Sequence, residues 1–161
     1  MEYAPDLGNA HYNLGVILHR QNQLPEAAIQ YRLAIAHAAD AAEAAQAHNN
    51  LGVLYLGLNN LEVAKAELDK ALALNPEEVN SYIARGTIEF QRGKMNDAIV
   101  DFTQANRRVP SPMALFWLGR AEEAEGDLAR AKAAYQAVLQ MAPGMPEARA
   151  RLESLRTLTG P

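Results

Sequence analysis

HYNLGV at His11–Val16 and HNNLGV at His48–Val53 differ at a single position. Their glycines, Gly15 and Gly52, are 37 residues apart, and Gly86 and Gly119 follow after 34 and 33. Three more ladders keep step with them. Ala27, Ala64, Ala98 and Ala131 each lie 12 residues beyond their glycine, and Tyr31, Leu68, Phe102 and Tyr135 lie 4 beyond each alanine. Pro76, Pro110 and Pro143 close the later copies. A period of this size marks stacked repeats, each too small to bury its apolar face alone.

Each copy reads as two helices joined by a tight turn. Helix A carries Leu14, Gly15 and Leu18, then Leu51, Gly52 and Tyr55, at helical spacing. The turns fall at Asn22-Gln23, Asn59-Asn60, Gly93-Lys94 and Gly126-Asp127, residues that tolerate left-handed backbone. Helix B carries the alanine and the large residue. Small glycine facing small alanine lets the helices approach, and the large side chain fills the space beside them. Proline then ends helix B, because it cannot extend the hydrogen-bond ladder.

Over about residues 8–145 this order of small, large and proline positions resembles the tetratricopeptide repeat family. Three departures stand out. No tryptophan opens helix A, where His11, His48, Tyr82 and Leu115 stand; the first copy lacks its proline; and Arg85 replaces a leucine, which predicts a looser third copy. The expected fold is all-α, a right-handed α-solenoid of four helix-turn-helix repeats plus a C-terminal capping helix. The repeats span about 8–44, 45–78, 79–111 and 112–145, with the cap over 146–159, in one domain covering 1–161. The cap is read from Leu152, Leu155 and Leu158 on one side, with Glu147, Arg149, Arg151 and Arg156 around the rest. Pro5 stands three residues ahead of the first repeat, so YAPD reads as the tail of an upstream repeat and the chain as part of a longer protein. Three extra residues in AIAHAADAAEAAQA predict a helix lengthened by about one turn rather than a loop, alanine being the best helix former.

Composition narrows the function. The 161 residues carry a net charge of −4, with scattered Lys and Arg, where nucleic acid would require a concentrated basic face. The absence of cysteine excludes a disulfide framework and a thiolate metal site. No apolar run approaches the roughly 18 residues of a membrane span, and MEYAPDLGNA has neither the basic start nor the apolar core of a signal peptide. The cytoplasm is the expected compartment, although a cysteine-free chain suits the periplasm as well.

The resemblance implies a concave groove lined by helix A. At 100° per residue, Asn13 lies about 200° from Gly15 and shares its face with Asn9, Val16 and Arg20. The counterparts are Gln46, Asn50, Val53 and Gly57; Asn80, Ala84, Thr87 and Gln91; and Met113, Trp117, Arg120 and Ala124. Tyr12, Asn49, Ile83 and Phe116 fall on the flank. A primary amide can pair with both N–H and C=O of an extended backbone, so Asn13 and Asn50 are candidates to hold a peptide. Groove asparagines of this kind occur in proteins similar to O-GlcNAc transferases and kinesin light chains. Met113, Phe116 and Trp117 could anchor an apolar side chain, and Arg20 and Arg120 could meet an acidic one. The basic set with which some family members clamp chaperone tails is missing: Tyr12, Asn13, Val16 and Asn50 stand there, with Arg20 close by.

Catalysis is not expected. His11 and His48 share one repeat position, which argues packing, and no His-x-x-x-His pair accompanies them. EEAEGD at Glu122–Asp127 reads as a solvated helix end, and no phosphate loop or Ser/His/Asp grouping appears. The expected role is a protein-interaction module with no cofactor or metal, whose partner is a protein or peptide. Two alternatives remain open: a substrate-presenting arm of a larger enzyme, and a scaffold that self-associates through exposed terminal repeats.

Overall fold

The computed structural model describes residues 7–159, with backbone alone at 158 and 159. Nine helices occur among the described residues: α1 (Leu7–Arg20), α2 (Leu24–Ala36), α3 (Ala41–Gly57), α4 (Leu61–Leu74), α5 (Val79–Gln91), α6 (Met95–Arg108), α7 (Pro112–Glu125), α8 (Leu128–Met141) and α9 (Pro146–Thr159). Odd-numbered α1 to α7 are the A helices and even-numbered α2 to α8 the B helices. The chain divides into two compact units, Met1–Ala84 and Arg85–Pro161, with the boundary inside α5.

The four turns use the backbone their sequences foretell. Asn22 and Asn59 have φ of 61° and 58°, and Gly93 and Gly126 have 75° and 91°. Each is the first residue of its pair, in the region that glycine enters freely and asparagine enters at small cost. After two of these turns Asn60 and Asp127 cap the next helices by accepting from Val63 N and Arg130 N, and Ser111 caps α7 between copies by accepting from Ala114 N.

In the first unit, the glycine ladder makes room for the large residue of helix B. A Cβ at Gly15 would stand 2.7 Å from Tyr31 Cδ1, and one at Gly52 would stand 2.7 Å from Leu68 Cγ. The core holds Ala27, Tyr31, Leu51 and Leu54, all at most 2% exposed. The three extra residues lengthen α3 to 17 residues against 14 in α1, as expected. Its new first turn is capped by Asp40, which accepts from Glu43 N at 2.9 Å. Glu43 in turn accepts from Ala39 N at 2.8 Å and from the Asn9 amide at 3.0 Å.

The second unit repeats the contact. A Cβ at Gly86 would meet Phe102 at 2.8 Å, and one at Gly119 would meet Tyr135 at 2.9 Å. Phe116, Ala131, Tyr135 and Val138 form a core with Ala148, Leu152 and Leu155 of α9, which caps the unit through its apolar side. In the third copy Arg85 has an answering carboxylate. Its guanidinium donates to both carboxylate oxygens of Asp101, at 2.9 and 2.7 Å, and Asp101 is nearly buried. A two-pronged, charge-assisted pair replaces the apolar contact that leucine would have made.

Candidate functional site

In the first three copies the helix-B residue just before the large side chain ties the two helices together. His11 Nδ1 lies 2.7 Å from Gln30 Oε1, and His48 Nδ1 lies 2.6 Å from Glu67 Oε2. Both histidines are therefore packing groups, as their shared register implied. Burial works against a charge on Glu67, yet hydrogen bonds from Lys70 and His48 outweigh it and hold the carboxyl below its ordinary value. In the third copy the same position holds Asp101, reached by Arg85.

The asparagines of the first unit divide. Asn13 is exposed and makes no side-chain hydrogen bond among the described residues; Gln46 and Asn80 are exposed as well. Asn9, by contrast, is engaged with Glu43. Asn49 is 7% exposed and accepts from Ser81 Oγ at 3.0 Å, so it packs between helices instead of lining a face. Asn49 Nδ2 donates to Asn50 Oδ1 at 3.2 Å, and Asn50 Nδ2 donates to the Tyr12 hydroxyl at 3.1 Å. Beside that chain is a hollow of about 390 Å³ lined by Tyr12, Val16, His19, Arg20, Tyr31 and Asn50. The Tyr31 hydroxyl lies 3.4 Å from His19 Nδ1, and burial, with Tyr12 nearby, pushes it up to about 12.

The second unit presents rings. Trp117 is half-buried, stacked on Phe102 at 6.2 Å and 20°, and edge-on to Phe90 at 5.7 Å and Phe116 at 6.1 Å. The Arg120 guanidinium sits 5.3 Å from the Phe90 ring centre and 5.4 Å from that of Trp117, within cation–π range. Met113 is 51% exposed, while Phe116 is 9% exposed and belongs to the core. Thr87 is half-buried.

Glu122 corrects the expectation of a solvated helix end. It is 7% exposed, and burial, with Asp127 adding to it against Arg130, holds its carboxyl above the ordinary value. Its counterpart Glu89, three residues after Gly86, is also buried, with Lys94 Nζ at 3.8 Å. Among the described residues no group of three His, Cys, Asp or Glu could hold a metal, and no helix is long and apolar enough to cross a membrane.

Paired helices, a glycine set against a large side chain in each copy and an apolar-sided cap together define a helical repeat protein. One family model for the tetratricopeptide repeat matches residues 2–47 and 83–146, and a second matches residues 45–78. The chain belongs to the tetratricopeptide repeat family, and its fold class is the α-solenoid of that family. Over 62 residues, 38% of this chain, it is 40% identical to BBSome complex member BBS4 of Xenopus tropicalis, and it spans 12% of that protein's length. A solved structure of MamA from Desulfovibrio magneticus RS-1 is similar at a TM-score of 0.84 and 17% identity, covering 98% of this chain and 88% of that one. The first such domain of Spaghetti (RPAP3), bound to the HSP90 peptide SRMEEVD, has a TM-score of 0.71 and 22% identity, covering 74% and 96%. At those identities the two structures show the fold alone.

Proposed function

We propose that this chain is a non-catalytic protein-interaction module that holds an extended peptide or partner segment against its helix-A faces. The observation that carries the reading is bonding capacity left open on those faces. Asn13 stands exposed in the first unit with its amide unengaged among the described residues, and Met113 stands exposed beside Trp117 in the second. Asn13 suits backbone capture, and Trp117 with Met113 suits an apolar side chain. The family's common role in protein binding supports this, as does the peptide-bound domain of RPAP3.

The test is selection of binders from a displayed random 12-residue peptide library, followed by affinity measurement on variants. Asn13→Ala and Trp117→Ala are each expected to weaken the selected peptides about tenfold, a loss of about 1.4 kcal/mol. Unchanged affinity in both, with loss on Ile29→Glu or Val100→Glu of the exposed helix-B surface, would move the site off helix A.

A second reading, self-association, is supported by α1. Leu14 and Ile17 are 43% and 52% exposed, whereas their counterparts Leu51 and Leu54 are 2% and 1% exposed in the core that α2 and α3 share. Sedimentation equilibrium should then show concentration-dependent mass that Leu14→Glu/Ile17→Glu abolishes. A constant monomer mass for the wild-type chain ends this reading.

A further inference from the structure

We infer that a hollow between the first turns of α2 and the last turns of α3 docks an extended partner segment, which seats one apolar side chain in the hollow and sets an acidic one, two residues along, on Arg32. The inference extends the protein-interaction reading to a surface away from Asn13 and Trp117, and it stands or falls apart from them.

Side-chain size at one register opens the hollow. Leu24, Pro25 and Ala28 of α2 and Leu54, Tyr55 and Leu58 of α3 enclose about 290 Å³, with Asn22 of the preceding turn completing the lining. Ala28 directly follows the ladder alanine of its copy, and the residues that follow Ala64, Ala98 and Ala131 are Lys65, Ile99 and Lys132. The first copy alone has a methyl group where the others carry a long side chain. Leu58, six residues after Gly52, is 50% exposed, and its counterparts are Gln21, Arg92 and Glu125. A small residue makes the room, and an apolar residue borders it at a register that is otherwise polar. Apolar walls give the water between them few partners, so an apolar side chain displaces that water favourably.

The volume sets the scale of the occupant. Small-molecule pockets run from about 300 to 1,000 Å³, and a docked helix needs a row of anchors about one turn apart. A single hollow of about 290 Å³ suits one anchoring side chain of an extended segment.

Charge supplies the second half of the motif. Leu24, Ala28 and Arg32 follow one another at steps of four residues, on one stripe of α2. The Arg32 guanidinium donates to the Tyr55 hydroxyl at 2.7 Å, which holds it beside the Tyr55 wall of the hollow. Arg32 is exposed and has no carboxylate partner among the described residues, and no acidic side chain lines the hollow. Glu26, two residues from Ala28, lies about 200° around the helix. A phenol oxygen that accepts a hydrogen bond keeps its own O–H to give, so Tyr55 and Arg32 together offer donors and a positive charge. From Ala28 to Arg32 the helix rises about 6 Å. Two residues of extended chain span about 7 Å and bring the side chain back to the same side. The segment that fits therefore reads apolar, any residue, acidic.

The experiment is a 15N NMR titration of the full chain with acetyl-Ala-Leu-Ala-Glu-Ala-amide and two controls, one with Ser for Leu and one with Gln for Glu. The parent peptide should shift the amides of Leu24, Ala28, Tyr55 and Leu58. It should bind about tenfold tighter than the Ser peptide and about threefold tighter than the Gln peptide. Ala28→Ile and Leu58→Glu each borrow the residue of a sister copy, and each should abolish the shifts with the melting transition unchanged. Leu58 is exposed, so its variant still decides the matter if Ala28→Ile unfolds the chain. Arg32→Gln should keep the shifts and erase the preference for Glu over Gln.

Shifts that persist in both hollow variants, or equal binding of the Leu and Ser peptides, overturn the docking site. Equal binding of the Glu and Gln peptides overturns the acidic half of the motif. No shift at those amides with peptide at tens of millimolar overturns the whole. Shifts confined to Asn13, Gln46 and Trp117 overturn it too, and leave the helix-A reading standing. Shifts at the hollow that survive Asn13→Ala and Trp117→Ala support the site whatever becomes of that reading.

Discussion

The two units share one packing rule and build opposite surfaces on it. In each, a helix-A glycine admits the large residue of helix B at a distance a Cβ would not allow. Beside that contact, the first unit runs hydrogen bonds from buried Ser81 and Asn49 out to half-buried Asn50 and Tyr12. The second carries Phe90, Phe116, Trp117 and Arg120, stacked face and edge. A helix touching its partner along one stripe leaves its other faces free to change, so a single frame supports a polar face and an aromatic one. The ties between helices differ as well: histidine to Gln30 and Glu67 in the first unit, arginine to Asp101 in the second.

The sharpest break of this comparison is at the rings. Phe102 is fully buried and supports Trp117, so Phe102→Ala should cost about 3–5 kcal/mol by urea denaturation, against about 2–5 for Leu68→Ala. A cost below about 1 kcal/mol would mean that the aromatic surface does not depend on the packed ring beneath it. Next comes the arginine tie. Arg85→Leu strands the Asp101 carboxylate and should cost about 3 kcal/mol, while Arg85→Leu/Asp101→Leu should recover most of the loss. If the double variant is as unstable as the single, the pair matters for shape rather than charge.

The buried carboxylates should respond to pH in opposite senses. Glu67 is held below its ordinary value, so its stabilisation is present above the unfolded-state pKa and is lost as pH falls through the folded one. Glu122 is held above its ordinary value, so its ionised form carries a cost above the folded pKa that fades on acidification. Melting followed from pH 7 to pH 4 should show Glu122→Gln raising the transition at pH 7, with the gain shrinking toward pH 4. Glu67→Gln should lower it at pH 7, with the loss shrinking. Parallel behaviour of the two would remove the contrast. The smallest effect is expected at the turns, where Asn59→Ala should cost about 1 kcal/mol because alanine is strained at positive φ, and Asn59→Gly should cost nothing measurable.

The packing rule was legible because it leaves a period: glycine, alanine and a large side chain recur at 33 to 37 residues, and each needs the others' size. The left-handed turns were legible for the same reason. The proposed binding face was only half legible. A helical phase of 100° places Asn13 and Asn50 on one side, but it does not say which partner an amide finds. Asn50 found Tyr12 on α1, a residue 38 positions away, and Asn49 found Ser81 on α5. Arg85 looked like a flaw because the family pattern wants leucine there, yet Asp101, 16 residues on, was the signal that the charge had an answer. Gly8 gave no signal at all: a Cβ there would come 2.6 Å from the His37 carbonyl oxygen, a backbone approach that no side-chain pattern records.

Trp117 is the one tryptophan in the chain, and it stands half-buried between Phe90, Phe102, Phe116 and a guanidinium. The protein therefore carries its own optical label at the place where an apolar ligand group would seat. Indole emission responds to the polarity and charge around the ring, so a molecule that displaces water or Arg120 from that face must shift or quench it. Unmodified protein in a cuvette, excited at the red edge of its absorption, reports on the second unit alone while the tyrosines of the first stay dark.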